Sequence, residues 1–301
     1  MSTALLSYAS LQVEPTPFVL RIGSWLNARG LRGSHRLRTL ARSLGQLNRV
    51  VQYSLPRDVH IDVPLYRPEN CWTAQELNEY EPELVNALAE AAGNATGPVR
   101  LIDCGADIGT ISTVLYSRCP HLTSIIAFEP NPEACVFARR NIGRLPISTQ
   151  VFDSAVSDFE GRGRLEYPEY DDSPHAMYLV PATDGDIAVT TIDALQLDTE
   201  GTLLIKIDTE GAEQNVIRGA RATISRAQQV VLAFEAHPDV VERTGIDSIE
   251  ILRELDRLRP FHTHVAEFPG LEIDLTEPLF EQVRLDSPYG LNIVCESNQP
   301  D

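Results

Sequence analysis

The chain has 301 residues, 43% of them hydrophobic, and a formal charge of −18; it is long enough for one large domain with a packed core, with or without an appendage. That charge excludes general nucleic-acid binding by the whole chain, no stretch reaches the ~18 apolar residues of a membrane span, and "MSTALLSYAS" lacks the basic start of a secretory signal. Cys71, Cys104, Cys119, Cys135 and Cys295 are odd in number, form no C-x-x-C pair and have no histidine at ligand spacing, which fits a reduced, cytoplasmic protein without structural zinc.

The first fifty residues differ from the rest. Seven arginines stand there against the single acid Glu14, about +6, which leaves about −24 for the remainder. Residues 18–29 read as a short helix ended near Gly30 and Gly33. From His35 to Leu55, Leu37, Leu40, Ala41, Leu44, Leu47, Val50 and Val51 fall at helical spacing with arginines on the other face, which predicts a basic amphipathic helix. Pro56, Pro64 and Pro68 follow, and the end of a basic helical appendage, residues 1–62, is placed there. This helix is a docking candidate: for its own acidic body, for a second subunit in a homodimer, or for a lipid or carrier surface. Residues 63–301 form the main domain. "TAQELNEYEPELVNALAEAA", residues 73–92, reads as one helix stopped by Gly93.

From Val99 onward short apolar runs alternate with helical stretches. The runs are 99–106, 124–130, 149–157, 202–208 and 229–237; the helices are 109–117, 132–142, 213–227 and 248–258. Such alternation predicts an α/β fold, a parallel sheet with helices on both faces. Two last strands are expected near 261–268 and 291–297. The runs end in Asp103, Glu129, Asp153, Asp208, and Glu235 with His237. Ligands of such sheets bind outside the carboxyl ends of the strands.

"DCGADIG" runs from Asp103 to Gly109. Gly105 and Gly109 permit a tight strand-to-helix turn and close backbone approach to a ligand, and the amides opening the next helix can hold an anion. Glu129, about 20 residues on, can accept both hydrogen bonds of a ribose diol. Asp153 ends the third strand, where an adenine would lie, with Ser154 beside it. Together these residues outline a nucleoside pocket. Asp107, between the two glycines, would repel the pyrophosphate of a dinucleotide. S-adenosylmethionine carries no phosphate, and the spacing favours it.

The segments "LIDCGADIG", "AFEPNPEACVFARRNI", "DSAVSDFEGRGRLEY", "VTTIDAL", "LLIKIDTEGAEQNVIRGA" and "VVLAFEAHP" occur in the order seen in FkbM-family methyltransferases, which residues 76–238 resemble. "KIDTEGAE" is the most specific part. The resemblance implies a class I methyltransferase (Rossmann-like) fold, a mostly parallel seven-stranded sheet whose last strand is antiparallel. It also implies S-adenosylmethionine as cofactor and O-methylation of a sugar, polyketide, glycolipid or other specialised metabolite. The family usually carries Asn where this chain has Asp107.

Lys206 is the only lysine of the chain and sits inside an apolar strand. Strand alternation puts Lys206, Asp208 and, in an extended continuation, Glu210 on one face. A buried lysine needs a counter-ion, for which Glu235 on the neighbouring strand is the candidate. Lys206 and Asp208 are expected beside the transferred methyl group, and Asp208, Glu210 and His237 are the candidate bases. Asp208, Glu210 and Glu235 are alternatively a set for Mg²⁺, a less favoured reading. The loop 166–179 is expected to close over substrate, with His175 or Tyr178 reaching inward. A small-molecule, carrier-linked or lipid-linked hydroxyl acceptor is the expected partner. A nicotinamide-dependent oxidoreductase and a non-catalytic cofactor-binding protein stand as alternatives; Asp107 and the lack of a Tyr-x-x-x-Lys pair count against the first, and intact acids along the rim against the second.

Overall fold

The computed structural model describes residues 12–27, 29–67, 73–168, 177–283 and 290–297. Its strands in chain order are β1 (Val13–Glu14), β2 (Val50–Leu55), β3 (Val59–Pro64), β4 (Val99–Cys104), β5 (Leu122–Phe128), β6 (Ser148–Phe152), β7 (Ser154–Val156), β8 (Gly161–Glu166), β9 (Tyr178–Pro181), β10 (Ile187–Thr190), β11 (Thr202–Ile207), β12 (Gln229–Ala236), β13 (Phe261–Val265) and β14 (Leu291–Ser297). Seven of them form the central sheet in the order β13-β14-β12-β11-β4-β5-β6. Only β14 runs antiparallel to its neighbours, inserted between β12 and β13. This is the class I methyltransferase arrangement, with β4 and β11 at the centre where the strand order reverses.

The central strands are apolar on both faces because both are covered. Along β12, Val231 and Ala233 join one core with Leu101, Leu204 and the helix Pro82–Gly93. Their neighbours Val230, Leu232 and Phe234 join the other core with Ile205, Val216 and the helix Ser248–Leu258. No helix among the described residues is long and apolar enough to cross a membrane. The cysteines described, Cys104, Cys119, Cys135 and Cys295, are free and buried; Cys71 lies outside the described residues.

Four segments depart from the sequence reading. The basic helix ends at Ser43, and residues 50–55 form strand β2, paired antiparallel with β3. Val51, Tyr53 and Leu55 alternate with Gln52 and Ser54 there, a period of two that outweighs the helical spacing. Residue 62, the expected end of the appendage, lies within β3. The expected helix 73–92 is two, Ala74–Asn78 and Pro82–Gly93. Pro82 has no N–H to continue the first and disfavours helical backbone before it, and Glu81 takes φ 40, ψ 60. The run 149–157 splits at Asp153, where the chain leaves the central sheet and β7 pairs with β10. With β8 and β9 it makes a second, four-stranded sheet that the sequence reading did not anticipate. The helix 213–227 is also divided, at Gly219, where a Cβ would meet the Ser157 carbonyl oxygen at 2.0 Å.

Asp62 ties the N-terminal hairpin to the helix Pro132–Ile142 and the residues that follow it. Its fully buried carboxylate accepts from Arg140 at 2.8 Å, Arg144 at 2.7 Å and Gln52 at 2.9 Å. The Asn141 amide holds the Asp62 backbone at both ends and donates to the Ile108 carbonyl at 2.8 Å. Burial pushes the Asp62 carboxyl up, but the Arg144 and Gln52 hydrogen bonds and the charges of Arg144 and Arg140 outweigh it, so the group is held below the usual range. Asp62 therefore adds stability above pH ~4 that is lost as pH falls through its lowered pKa. Because both arginines keep access to water, Asp62→Ala is expected to cost about 2 kcal/mol, at the level of a charged hydrogen bond rather than an orphaned buried ion. Urea unfolding at neutral pH measures this, and the deficit should shrink in acid.

Candidate functional site

Asp103 is the last residue but one of strand β4, and its carboxylate is fully buried. It accepts from Ser112 Oγ at 2.6 Å and lies 3.4 Å from Lys206 Nζ. Register explains the pairing: Lys206 stands opposite Asp103 on one side and Ala233 on the other. Glu235 is two residues further along β12, so it is not the counter-ion expected from the sequence. Lys206 Nζ also donates to the Gly105 carbonyl at 2.7 Å and to Asp208 Oδ2 at 3.1 Å. Burial alone would lower the lysine pKa, but Asp208, Asp103 and Glu81 raise it well above the ordinary value. Lys206 keeps its proton, buried beneath the cavity floor.

Gly105 then makes the turn. At φ 82 it brings its backbone so close to β11 that a Cβ would lie 1.8 Å from the Asp208 carbonyl oxygen. Asp107 follows in a left-handed conformation, φ 48, and its N–H donates to Glu129 Oε2 at 2.7 Å. The Asn131 N–H donates to the other Glu129 oxygen at 2.7 Å. Asn131 itself caps the helix Pro132–Ile142. Glu129 is thus fixed by two backbone amides, and an ionised carboxylate has roughly two further lone-pair sites for a ligand diol. Burial and the Asp107 charge push its pKa up to about 7. Arg67, a residue the sequence reading missed, sits 2.7 Å from Asp107 and offsets its charge.

On the far side of β11 the "KIDTEGAE" turn is built around Glu213. Its Oε1 accepts from the Thr209 N–H at 3.1 Å, the Thr209 hydroxyl at 3.2 Å and the Gly211 N–H at 2.9 Å. The Arg243 guanidinium donates to the Glu210 carbonyl and stacks over Tyr178, 4.5 Å from the ring centre. With Lys206 and Glu213 holding the loop from within, Asp208, Thr209 and Glu210 line a cavity of about 340 Å³, within the range of small-molecule sites. Gly105, Asp107, Phe128, Glu129 and Asn131 line it too, as do Ser154, Ala155 and Val156, and Leu165, Met177 and Leu179 of the second sheet.

Tyr80 and Glu81, at the break between the two helices, complete the wall. Neither was anticipated, because residues 73–92 read as unbroken helix. Glu81 is pushed up to about 7 by burial and by Asp208, and Glu235 to about 9 by burial and by Asp208, Glu210 and Glu81. Among the described residues, six carboxylates and one base, Arg67, line the cavity.

The sequence-predicted residues therefore separate. Gly105, Asp107, Glu129, Ser154, Asp208, Glu210 and Glu235 share the cavity. Gly109 lies behind it, opening the helix Thr110–Arg118 against Ile142. Asp153 is exposed and paired with Arg139 at 3.0 Å, because the chain switches sheets at that residue. His237 is not in the lining of this cavity; it caps the helix Pro238–Thr244, its Nδ1 accepting from the Asp239 N–H at 3.1 Å. His175 lies outside the described residues. No three His, Cys, Asp or Glu among the described residues are placed to hold a metal ion.

A seven-stranded sheet with one antiparallel strand inserted beside its edge, and a glycine turn opening onto a cavity over its centre, form the class I methyltransferase arrangement. Residues 103–267 match the Methyltransferase FkbM domain, more than half of the chain, which belongs to that family. It is 25% identical over 183 residues to the hexuronic acid methyltransferase AglP of Haloferax volcanii, covering 59% of this chain and 72% of that one. It is 27% identical over 195 residues to the 2-O-methyltransferase NoeI of Sinorhizobium fredii, covering 58% and 77%. The crystal structure of an FkbM methyltransferase from Methylobacillus flagellatus aligns with a TM-score of 0.44 at 16% identity, covering 77% of this chain and 53% of that one.

Two outcomes follow from this geometry. Lys206→Met leaves Asp103 as a buried, unpaired charge and should cost about 3–5 kcal/mol of stability, read by denaturant unfolding. A diol bound to both Glu129 oxygens would need the ionised carboxylate, so below its pKa of about 7 adenosine affinity should fall by up to about tenfold per pH unit. Calorimetric titration at several pH values checks this, and Glu129→Gln should both weaken binding and flatten the dependence.

Proposed function

We propose that this methyltransferase uses S-adenosylmethionine to methylate a hydroxyl of an uncharged, polyhydroxylated acceptor such as a sugar. The observation that carries this reading is one cavity with two unlike acidic groups: Glu129, fixed by backbone amides, and Glu81 with Asp208, Glu210 and Glu235 around the other wall. Gly105, Asp107, Glu129, Asn131 and the segment Ser154–Val156 would hold the cofactor, which supplies an electrophilic methyl group on a sulfonium. The fit rests on the Gly105 turn, which a Cβ would fill, and on the free lone pairs of Glu129. A dinucleotide fits poorly, since its two phosphates would face carboxylates with only Arg67, already paired to Asp107, to meet them.

In this reading Glu81 takes the acceptor proton. Its carboxylate titrates at about 7, where a general base is most effective at neutral pH. It is held in a left-handed backbone conformation rare for a non-glycine residue, and such local strain gathers at functional sites. Tyr80 is hydrogen-bonded to it. Asp208, held by Lys206 through one oxygen, accepts a hydrogen bond from the reacting hydroxyl or its neighbour and orients it; Glu210 and Glu235 take further hydroxyl groups. Lys206 acts through Asp208 and Gly105 rather than on the acceptor, and His237 takes no part. The names of AglP and NoeI, a hexuronic acid and a 2-O-methyltransferase, support a sugar hydroxyl. The acidic wall favours a neutral ring here, because a uronate would meet like charge.

S-adenosylhomocysteine should bind in calorimetry and NAD should not; the reverse result ends this reading. Glu81→Gln should lower the single-turnover rate of methyl transfer to a neutral glycoside by about 10²–10⁴-fold with S-adenosylhomocysteine affinity kept, and should abolish the rise of rate through pH ~7. A wild-type rate and pH profile in Glu81→Gln would remove Glu81 as the base.

A further inference from the structure

The N-terminal helices Phe18–Asn27 and Ser34–Ser43 have two faces of opposite fate. The inner face is already occupied: Leu20, Ala41 and Leu47 are buried in the core that includes the hairpin and the central sheet, and Glu76 accepts from Asn27 and Arg38. The outer face is apolar yet uncovered. Phe18 is 71% exposed, Leu44 58% and Trp25 51%, with Leu31 and Leu40 close behind. Among the described residues eight large hydrophobic side chains are exposed, and six of them lie between residues 13 and 44. Single exposed apolar residues need no explanation, but such concentration marks an interaction surface.

The same segment is strongly basic. No Asp or Glu occurs from residue 15 to residue 57. Arg21, Arg29, Arg32, Arg36 and Arg42 are exposed, and the Arg29 guanidinium lies 4.1 Å from the centre of the Trp25 ring. On the first helix Phe18, Arg21 and Trp25 follow one another at three- and four-residue steps and so lie on one face, and Arg29, just beyond the helix end, folds back onto Trp25.

The occupant must therefore offer negative charge and an apolar layer together. A second copy pairing face to face would set these arginines against themselves. A second copy offering its acidic body would meet the charge, but outside residues 13–44 the described residues expose only Tyr167 and Phe268 as large apolar groups. An anionic bilayer offers both: headgroups for the arginines, and an acyl boundary where Trp, Phe and Leu side chains bury while guanidinium groups stay at headgroup level. We propose that the outer face of these two helices docks the enzyme on an anionic lipid surface.

The test uses the full chain and sedimentation with vesicles of phosphatidylcholine, alone or mixed with phosphatidylglycerol. Binding is expected to the mixed vesicles only and should weaken with salt. Phe18→Ser/Leu44→Ser and, separately, Arg36→Gln/Arg42→Gln should each weaken it by about tenfold or more, with unchanged methyl transfer to a water-soluble acceptor. Three results would overturn the proposal: no binding to mixed vesicles at low salt, equal binding by both double variants, or a dimer in sedimentation velocity that Phe18→Ser/Leu44→Ser dissolves, which would make the face a subunit interface.

Discussion

Lys206 Nζ lies 2.7 Å from the Gly105 carbonyl, 3.1 Å from Asp208 and 3.4 Å from Asp103, and one buried positive charge thereby offsets two acids on adjacent strands. The rest of the site is spaced from this point. The ammonium group draws the glycine turn of β4 onto the end of β11, where only a residue without Cβ fits. Asp103 is consumed by that contact and by Ser112. Asp208 shares the lysine but keeps one edge on the cavity. Glu213 anchors the turn beyond it, so of the three acids in "KIDTEGAE" one holds the loop and two, Asp208 and Glu210, face the cavity.

The opposite wall comes from a broken helix. Pro82 stops the turn before it, Glu81 takes up the left-handed conformation, and the two side chains Tyr80 and Glu81 are delivered to the cavity. The resulting crowd of carboxylates has a thermodynamic side. Glu81 and Glu129 are raised to about 7 and Glu235 to about 9. Acids with raised native pKa values contribute stability that is present below the unfolded value of ~4.5 and lost as pH rises through the native one. Their full ionisation thus works against the fold, and ligands that donate hydrogen bonds or bring positive charge recover part of that loss.

Much of the central sheet was legible because its strands are short, apolar and separated by periodic helices. Gly105 and Glu129 were legible as a turn and a strand-end acid. The partner of Lys206 was not, since alternation gives the face of a residue but not the register of its neighbour; Asp103 rather than Glu235 lies opposite. Asp153 was misplaced because a change of sheet at one residue leaves no mark in an apolar run. The β8 and β9 strands carry arginine, glycine and proline and lack a clean alternation. Glu81 was missed for a different reason: Pro82 was visible, but its effect on the residue before it was not weighed against the helical spacing on either side. Residues 50–55 show the same competition in reverse, with a two-residue period hidden at the end of a helical one.

Arg67, Tyr80 and Glu81 all precede residue 103, where the span shared with the FkbM domain begins. The shared span carries the glycine turn, Glu129 and the lysine-pinned loop. The flank before it contributes the remaining wall from a loop and a helix break; Arg67 is joined to the glycine turn through Asp107, while Tyr80 and Glu81 are placed by the break itself. Two members of the family with the same shared span can therefore face their cavities with different side chains, and diverge in what they accept without altering one residue of what they have in common.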